Sequence, residues 1–342
     1  MSDQQLYILM ISAHGLIRGH DMELGRDADT GGQTTYVVEL ARALGRNSNI
    51  GQVDLLTRQI IDKNISSDYA EPIEKLGPNA RIIRLPCGPR KYLRKELLWP
   101  HLDQMVDRCL HYLRQQRQLP DLIHTHYADA GYIGLHLSNL LGIPQIHTGH
   151  SLGRPKRARL LAAGRKEKTI ERQFNLSQRI AAEEEVLVHA SLIITSTSQE
   201  IEDQYGMYEN TDPRRCRVIP PGTDTSRFSP PGRKTIDPLM QANMDRFLSD
   251  PKKPIILAIC RPDTRKNIDG LVEAYGSDQV LRDMANLVIV AGSREDIRSM
   301  ETSQREVMTD LLLDVDRYDL WGSVAIPKSP FTISSLFLTI RG

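Results

Sequence analysis

Short apolar runs alternate along this chain with stretches that have helical spacing. Residues 6–11 form a continuous apolar run, after which Val37, Leu40, Ala41 and Leu44 recur on one helix face. Continuous apolar runs are typical of strands buried in parallel sheets. Similar runs cover residues 53–57, 82–85, 122–124, 192–196, 254–260 and 287–292, and another starts at residue 144. The alternation predicts an α/β fold with doubly wound sheets, whose ligands bind at the carboxyl ends of the strands.

Helices are predicted between these runs. The clearest cover residues 98–113, with Pro100 in the first turn, a segment that ends at Gly142, and residues 165–190, 267–275 and 301–317.

The pattern also predicts two domains of unequal completeness. Residues 1–222 are expected to form the first domain, residues 223–253 an interdomain linker rich in Pro, Gly and Ser, and residues 254–328 a second domain. Sheets usually hold about 4–6 strands, and the second domain offers about three βα units, so it is expected to be incomplete. Residues 329–342 contain no Asp or Glu and are expected to be an aberrant tail.

A double glycine separates the first strand from the first helix. Gly31 and Gly32 allow a ligand to approach the backbone closely, and the following helix directs its free N–H groups at the turn. This arrangement suits a phosphate. A plain tight turn is the alternative that the pair alone leaves open.

Composition narrows the class of protein. Against 43 Asp and Glu stand 44 Lys and Arg, so the net charge of +1 favours neither nucleic acid nor a membrane surface as a partner. Four scattered Cys without a CxxC motif indicate reduced core residues. The first residues lack the features of a signal peptide. A cytoplasmic protein is expected.

Basic clusters follow two predicted strands. Residues 90–95 contain Arg90, Lys91, Arg94 and Lys95, and residues 154–159 contain a second group of four Arg and Lys. Such groups can bind a phosphorylated ligand, although a solvated charged face would show the same pattern. Arg261 and Lys266 stand in a βα loop that could grip a diphosphate or could simply be charged.

Histidines and one aspartate gather at the same predicted sheet edge. These residues are His126, Asp129 and His150, and the nearby His124 and His147 bring the number of histidines that could suggest a metal site to four. Their spacing does not match the i, i+4 pattern of a helical metal site and no Cys accompanies them. Hydrogen bonding to sugar hydroxyls is the preferred interpretation, and no metal is expected.

Several motifs together resemble the sucrose-phosphate synthase family, retaining transferases of GT-B type in glycosyltransferase family 4. These motifs are residues 14–19, 23–34, 148–153, 196–200 and 218–222. The likeness runs from residue 6 to about residue 328. It implies two Rossmann-like domains, the second incomplete in this chain.

The resemblance implies glucose transfer from UDP-glucose to fructose 6-phosphate with retention, giving sucrose 6-phosphate. No cofactor is implied beyond UDP-glucose as co-substrate, and a sucrose-phosphate phosphatase would act downstream. The acceptor would be bound by Gly32, Gln33, Lys91, Tyr127, Lys156 and Arg179. The donor would be bound by Gly31, Gly32, His150, Arg261 and Lys266. His150, Arg261 and Lys266 would be the catalytic residues.

One departure from the family pattern keeps alternatives open. Family members continue with two glutamates that hold the nucleotide ribose and the donor glucose, and nothing after Lys328 matches them. The donor site is therefore expected to lack one wall. A non-catalytic remnant that binds sugar phosphate, and a transferase similar to sucrose synthase, are the alternatives. A nicotinamide-dependent enzyme is a third, although no GxGxxG turn follows the first strand.

Overall fold

A computed structural model describes residues 5–24, 27, 29–225, 238–291 and 296–328. The chain divides into two compact units, the first comprising Met1–Met22 with Asp27–Gly222 and the second Glu23–Arg26 with Thr223–Gly342. The predicted tail at residues 329–342 lies outside the described residues. The predicted linker at residues 223–253 belongs to the second unit and includes a helix.

The first unit alternates strands and helices. Its strands are β1 (Leu6–Ile11), β2 (Ile50–Arg58), β3 (Ile73–Lys75), β4 (Ala80–Leu85), β5 (Leu122–His126), β6 (Gln145–Thr148), β7 (Leu192–Thr195) and β8 (Cys216–Val218). Its helices are α1 (Gly32–Gly45), α2 (Leu102–Arg114), α3 (Ala128–Leu141), α4 (Gly153–Ala162), α5 (Glu167–Phe174), α6 (Leu176–His189) and α7 (Ser198–Asp203).

These strands form one sheet with the order β3-β4-β2-β1-β5-β6-β7-β8. All neighbours pair in parallel except β3, which is antiparallel to β4. The chain order reverses at β1, which lies between β2 and β5. In open α/β sheets such a reversal opens a crevice at the carboxyl ends of the strands.

Helices cover both faces of this sheet, as the continuous apolar strands require. Successive side chains of a strand point to opposite faces. Leu9 and Ile11 of β1 therefore join the core cluster of α2 and α3, whereas Ile8 and Met10 join that of α1. The predicted α/β class is confirmed.

Four local features differ from the sequence prediction. Pro100 lies in a 3-10 turn before α2 and not in the helix itself. The basic cluster after β6 forms α4, which was not predicted. The long helix expected over residues 165–190 is two helices, because Asn175 takes a left-handed φ of 47° between α5 and α6. The short strand β3 lies in a stretch, residues 58–79, for which no strand was predicted.

The second unit contains a smaller sheet of the same kind. Its elements are α8 (Pro238–Asp245), β9 (Ile255–Cys260), α9 (Ile268–Ser277), α10 (Gln279–Met284), β10 (Asn286–Ala291), α11 (Thr302–Arg317) and β11 (Val324–Ala325). The sheet order is β11-β10-β9, with all pairs parallel. Alternate residues of β10 face two separate cores, one with α9 and α11 and the other with Met244 and Leu248. Gly292, expected to end this strand, lies outside the described residues.

Within the described ranges, every helix is too short or too polar to cross a bilayer.

Candidate functional site

A buried hydrogen bond joins the chain segments that follow β1 and β5. His14, in the loop after β1, donates from Nδ1 to Oδ2 of Asp129 on α3 at 2.7 Å. Both side chains are almost completely buried. The His14 ring also contacts the edge of the Tyr127 ring, with centroids 4.5 Å apart. This contact fixes the floor of the crevice at the point where the strand order reverses.

Beside this floor lies a narrow pocket that opens to solvent. Three cationic side chains line it, from three separate parts of the first unit: Lys95, Lys156 and Arg179. Its remaining lining residues are Glu96, Trp99, Tyr127, Asp129 and Phe174. Three cations around one opening suit an anionic ligand such as a phosphate group.

Arg179 of α6 is rigidly held in this pocket. Its Nε donates to Oε1 of Glu183 at 2.8 Å, one helical turn away, and an Nη donates to the carbonyl of Ser151. Its guanidinium lies over the Tyr127 ring at 4.3 Å. Burial disfavours its charge, but the Glu183 carboxylate outweighs burial and raises the pKa of Arg179. The guanidinium is therefore positioned before any ligand binds.

Glu183 in turn connects three elements. Besides Arg179 it accepts hydrogen bonds from the backbone N–H of Gly153, at 3.0 Å to Oε2, and from the hydroxyl of Tyr208. The same carboxylate thus fixes Arg179 and the start of α4, the helix that carries Lys156.

Lys156 is the most strongly perturbed cation of the pocket. Burial, reinforced by the neighbouring charges of Lys95 and Arg179, lowers its pKa to about 8. Its Nζ lies 3.7 Å from the centroid of the Phe174 ring. An ammonium group destabilised in this way gains from an anion that enters the pocket.

Lys95 is anchored to the motif after the first strand. Its Nζ and its backbone N–H both bind the carboxylate of Asp29, the backbone contact at 2.9 Å. Burial alone would raise the pKa of Asp29, but the charges of Lys95 and His14 outweigh it and the pKa is lowered. Asp29, in the motif before the double glycine, therefore positions one lysine of the pocket.

Four histidines on β5, on β6 and just after β6 form a neutral cluster. Burial lowers the pKa of His124 to about 4 and those of His147 and His150 to about 3, with neighbouring histidine charges adding to the effect on the last two. The pKa of His126 is lowered well below its ordinary value for the same reasons. Nδ1 of His126 lies 3.1 Å from Nε2 of His150. Neutral imidazoles form hydrogen bonds without adding charge, which suits contacts to sugar hydroxyls.

The double glycine stands at the start of α1 with open space around it. A Cβ added to Gly31 or Gly32 would meet nothing within 4 Å among the described residues. Nε2 of Gln33 is buried, and no described group forms a hydrogen bond with it. Open backbone and a free amide beside the sheet edge are compatible with the ligand contacts predicted for these residues.

The structure brings some predicted residues together and leaves others apart. Tyr127, Lys156 and Arg179 line one pocket. Lys91 does not line it, and its side chain is exposed, while its carbonyl accepts a hydrogen bond from Arg58 at 2.6 Å. Lys95 takes the corresponding place. The sequence put both lysines in one cluster, and the signal that separates them, the contact to Asp29, is visible only in the fold.

Arg261 and Lys266 belong to the second unit, in the loop between β9 and α9. Lys266 is exposed and ends a 3-10 turn, where its N–H donates to the carbonyl of Asp263. Asn267 follows with a left-handed φ of 50° and starts α9. The loop thus has a defined backbone at the carboxyl end of β9.

Possible metal ligands stay apart in the described parts of the chain. They contain no group of three or more His, Cys, Asp or Glu side chains that could hold an ion. All four cysteines are free, and burial raises the pKa of each, Cys87 to about 11. Three of them are buried and Cys260 is half-buried.

The family model of Glycosyltransferase Family 4 matches residues 30–227 of the chain. This range contains the double glycine, the cationic pocket and the histidine cluster. The chain belongs to this family. Membership decides against the nicotinamide-dependent alternative.

Within the family the chain is similar to sucrose-phosphate synthases. It is 42% identical over 95% of its length to probable sucrose-phosphate synthase 2 of Arabidopsis thaliana, and 42% identical to sucrose-phosphate synthase 4 of the same plant. The chain spans only 36% and 37% of those two proteins, about a third of their length.

Solved structures of glycosyltransferases also match the fold of this chain. The structure of sucrose-phosphate synthase from Thermosynechococcus elongatus matches 98% of this chain and 73% of its own, with a TM-score of 0.69 and 27% identity. The catalytic domain of starch synthase IV from Arabidopsis thaliana shares the fold, with a TM-score of 0.62 at 14% identity over 98% of this chain and 75% of its own. These neighbours are GT-B glycosyltransferases.

Proposed function

We propose that the first unit is the acceptor-binding half of a glucosyltransferase that takes glucose from UDP-glucose to fructose 6-phosphate. The observation that carries this proposal is the pocket of Lys95, Lys156 and Arg179. Lys95 and Arg179 already pair with Asp29 and Glu183, whereas Lys156 forms no ion pair with a described residue, so its buried ammonium favours an anionic ligand. Similarity to sucrose-phosphate synthases supports the same substrate.

In this proposal the two parts of the acceptor meet different groups. The phosphate lies among Lys95, Lys156 and Arg179, and Tyr127 packs beneath it. The sugar ring extends toward Gly32, Gln33 and the histidine cluster. The role of Lys91 in the phosphate site stays a prediction, because its side chain is exposed and does not line the pocket.

For the donor, the resemblance to the family proposes a separate role for residues of each unit. Gly31 and Gly32 let the backbone approach the diphosphate, His150 contacts the transferring glucose, and Arg261 and Lys266 neutralise the leaving UDP. The bond from glucose C1 to the diphosphate oxygen breaks, and a bond to the anomeric oxygen of the acceptor forms on the same face. The acceptor proton passes to the departing phosphate oxygen. Stabilisation of charge on that leaving group is the protein's main contribution.

The product is then sucrose 6-phosphate. Its phosphate ester requires a phosphatase to release sucrose, and a sucrose-phosphate phosphatase is the downstream partner that we propose. We place the reaction in the cytoplasm.

The test is to incubate the purified chain with UDP-glucose and fructose 6-phosphate and to measure UDP and sugar phosphate together. We expect UDP and a non-reducing disaccharide phosphate in equal amounts. NMR of the product should show that the transferred glucose keeps the anomeric configuration that it has in UDP-glucose. Equal turnover of unphosphorylated fructose would favour a transferase similar to sucrose synthase. Binding of fructose 6-phosphate without UDP release would favour the non-catalytic alternative.

A further inference from the structure

His126 is a buried histidine whose role the proposed reaction leaves open. It ends β5 and is fully buried. Its Nδ1 lies 3.1 Å from Nε2 of His150, which is half-buried and has a left-handed φ of 56°. The rings of His126 and His150 lie close together, with their centroids 5.3 Å apart.

A hydrogen bond between two neutral imidazoles has two possible arrangements, because each ring carries one N–H. In the first, His126 donates from Nδ1, so His150 accepts at Nε2 and carries its own hydrogen on Nδ1. In the second, His150 donates from Nε2, so His126 carries its hydrogen on Nε2. The first makes His150 a donor toward a ligand, and the second makes it an acceptor.

The other nitrogen of His126 distinguishes the two arrangements. Its Nε2 is buried and has no hydrogen-bond partner in the part of the chain that the structure describes. In the second arrangement this atom would be a buried N–H without an acceptor, which folded proteins rarely tolerate. In the first it is only a lone pair.

Neighbouring groups do not supply the missing acceptor. Nε2 of His124 is engaged with the hydroxyl of Thr148 at 2.9 Å, and Nδ1 of His147 with that of Thr125 at 2.9 Å. The Tyr36 ring meets the rings of His126 and His150 edge to face, with centroids 5.9 and 5.0 Å apart. These contacts fix the ring planes, so the contact at Nδ1 sets the tautomer.

We infer that His126 donates its Nδ1–H to Nε2 of His150 and so holds His150 as the Nδ1–H tautomer, a hydrogen-bond donor toward the sugar oxygens of the donor substrate. His126 is then a positioning residue. The tautomer follows from the geometry alone, whereas its use toward a sugar rests on the proposed function.

The direct test is long-range ¹H–¹⁵N NMR of the chain labelled with ¹⁵N-histidine, without ligand. The signals are assigned with His126→Asn and His150→Gln. We expect both His126 and His150 to be protonated on Nδ1. An Nε2-protonated His126 would overturn the inference, whether or not the chain turns over.

Substitutions give a second, matched test. The side-chain amide of His126→Asn offers an N–H at the place of Nδ1, whereas His126→Ala removes the donor. We expect His150 to keep the Nδ1–H form in His126→Asn and to become a mixture in His126→Ala. In the UDP-release assay, His126→Ala should lower kcat about 10- to 100-fold, as loss of an orienting partner typically does, with KM for fructose 6-phosphate nearly unchanged and most of kcat restored in His126→Asn. Equal losses in both variants, with an unchanged His150 tautomer, would contradict the role.

Discussion

The cationic pocket of the first unit and the β9–α9 loop of the second are built in different ways. In the pocket, Lys95 is held by Asp29 and Arg179 by the carbonyl of Ser151, both far away in sequence, and Glu183 adds a contact to Arg179 from one helical turn away. In the loop, Arg265 pairs with Asp263 two residues before it, and Lys266 is exposed.

This difference shows which cationic side chains are already positioned before a ligand binds. Long-range contacts hold the pocket cations in place before a ligand arrives, so little side-chain entropy is lost on binding. Locally held, exposed cations of the loop must be ordered by the ligand itself. We therefore expect sugar-phosphate affinity to depend on the first unit's network and to be insensitive to the second unit's loop.

The largest effect is expected from Arg179→Ala. This change leaves the buried Glu183 carboxylate without its cation, which typically costs about 3–5 kcal/mol of folding free energy. Urea unfolding measures this loss. The matched control is Arg154→Ala, whose ion pairs with Glu184 and Glu209 are more exposed and are worth about 0–1 kcal/mol. Similar losses in the two variants would show that the Arg179 network is not special.

Lys156→Ala is expected to lose ligand affinity with little loss of stability. A hydrogen bond to a charged group contributes about 1.5–3 kcal/mol, so the dissociation constant for fructose 6-phosphate should rise about 10- to 100-fold. Calorimetric titration measures it. Arg159→Ala is the control, because Arg159 lies on the same helix, is exposed and bonds only locally to the carbonyl of Pro155. A similar loss in the control would indicate general charge attraction instead of a site.

The lowered pKa of Lys156 predicts a pH dependence of opposite sign for binding and for stability. Binding of the phosphate should weaken as pH rises through about 8, where the free protein loses this charge. Stability should rise between about pH 8 and the ordinary value of 10.5, because the unfolded chain binds more protons there. Both trends should vanish in Lys156→Met, which titration and unfolding across this range would measure.

The smallest effect is expected from Lys266→Ala. Since its side chain is exposed on the second unit, affinity for fructose 6-phosphate should change less than about twofold, within the usual range of surface substitutions. UDP affinity is the contrasting readout and should fall. A large loss of acceptor affinity would break the distinction between the two regions.

Local patterns predicted the framework of the fold well. The apolar run at residues 6–11 is β1, and α3 ends at Gly142, whose φ of 67° suits a residue without Cβ. These features depend on burial and backbone freedom, which a short segment of sequence expresses.

What the sequence did not predict depends on contacts between distant residues. Lys95 is placed at the pocket by its contact with Asp29, and the tautomer that we infer for His150 depends on its contact with His126. The helix α4 was missed because only Gly153 of it is buried, so its apolar pattern is weak. The apolar pattern of a single segment does not show such contacts between distant residues.

The central claim, that the first unit's pocket binds a sugar phosphate, is tested most directly by calorimetric titration of the chain with fructose 6-phosphate and, in parallel, with fructose. We expect one molecule of fructose 6-phosphate to bind per chain, with no measurable binding of fructose at the same concentrations. Equal affinity for both sugars, or binding of fructose 6-phosphate that Lys156→Ala leaves intact, would contradict the account.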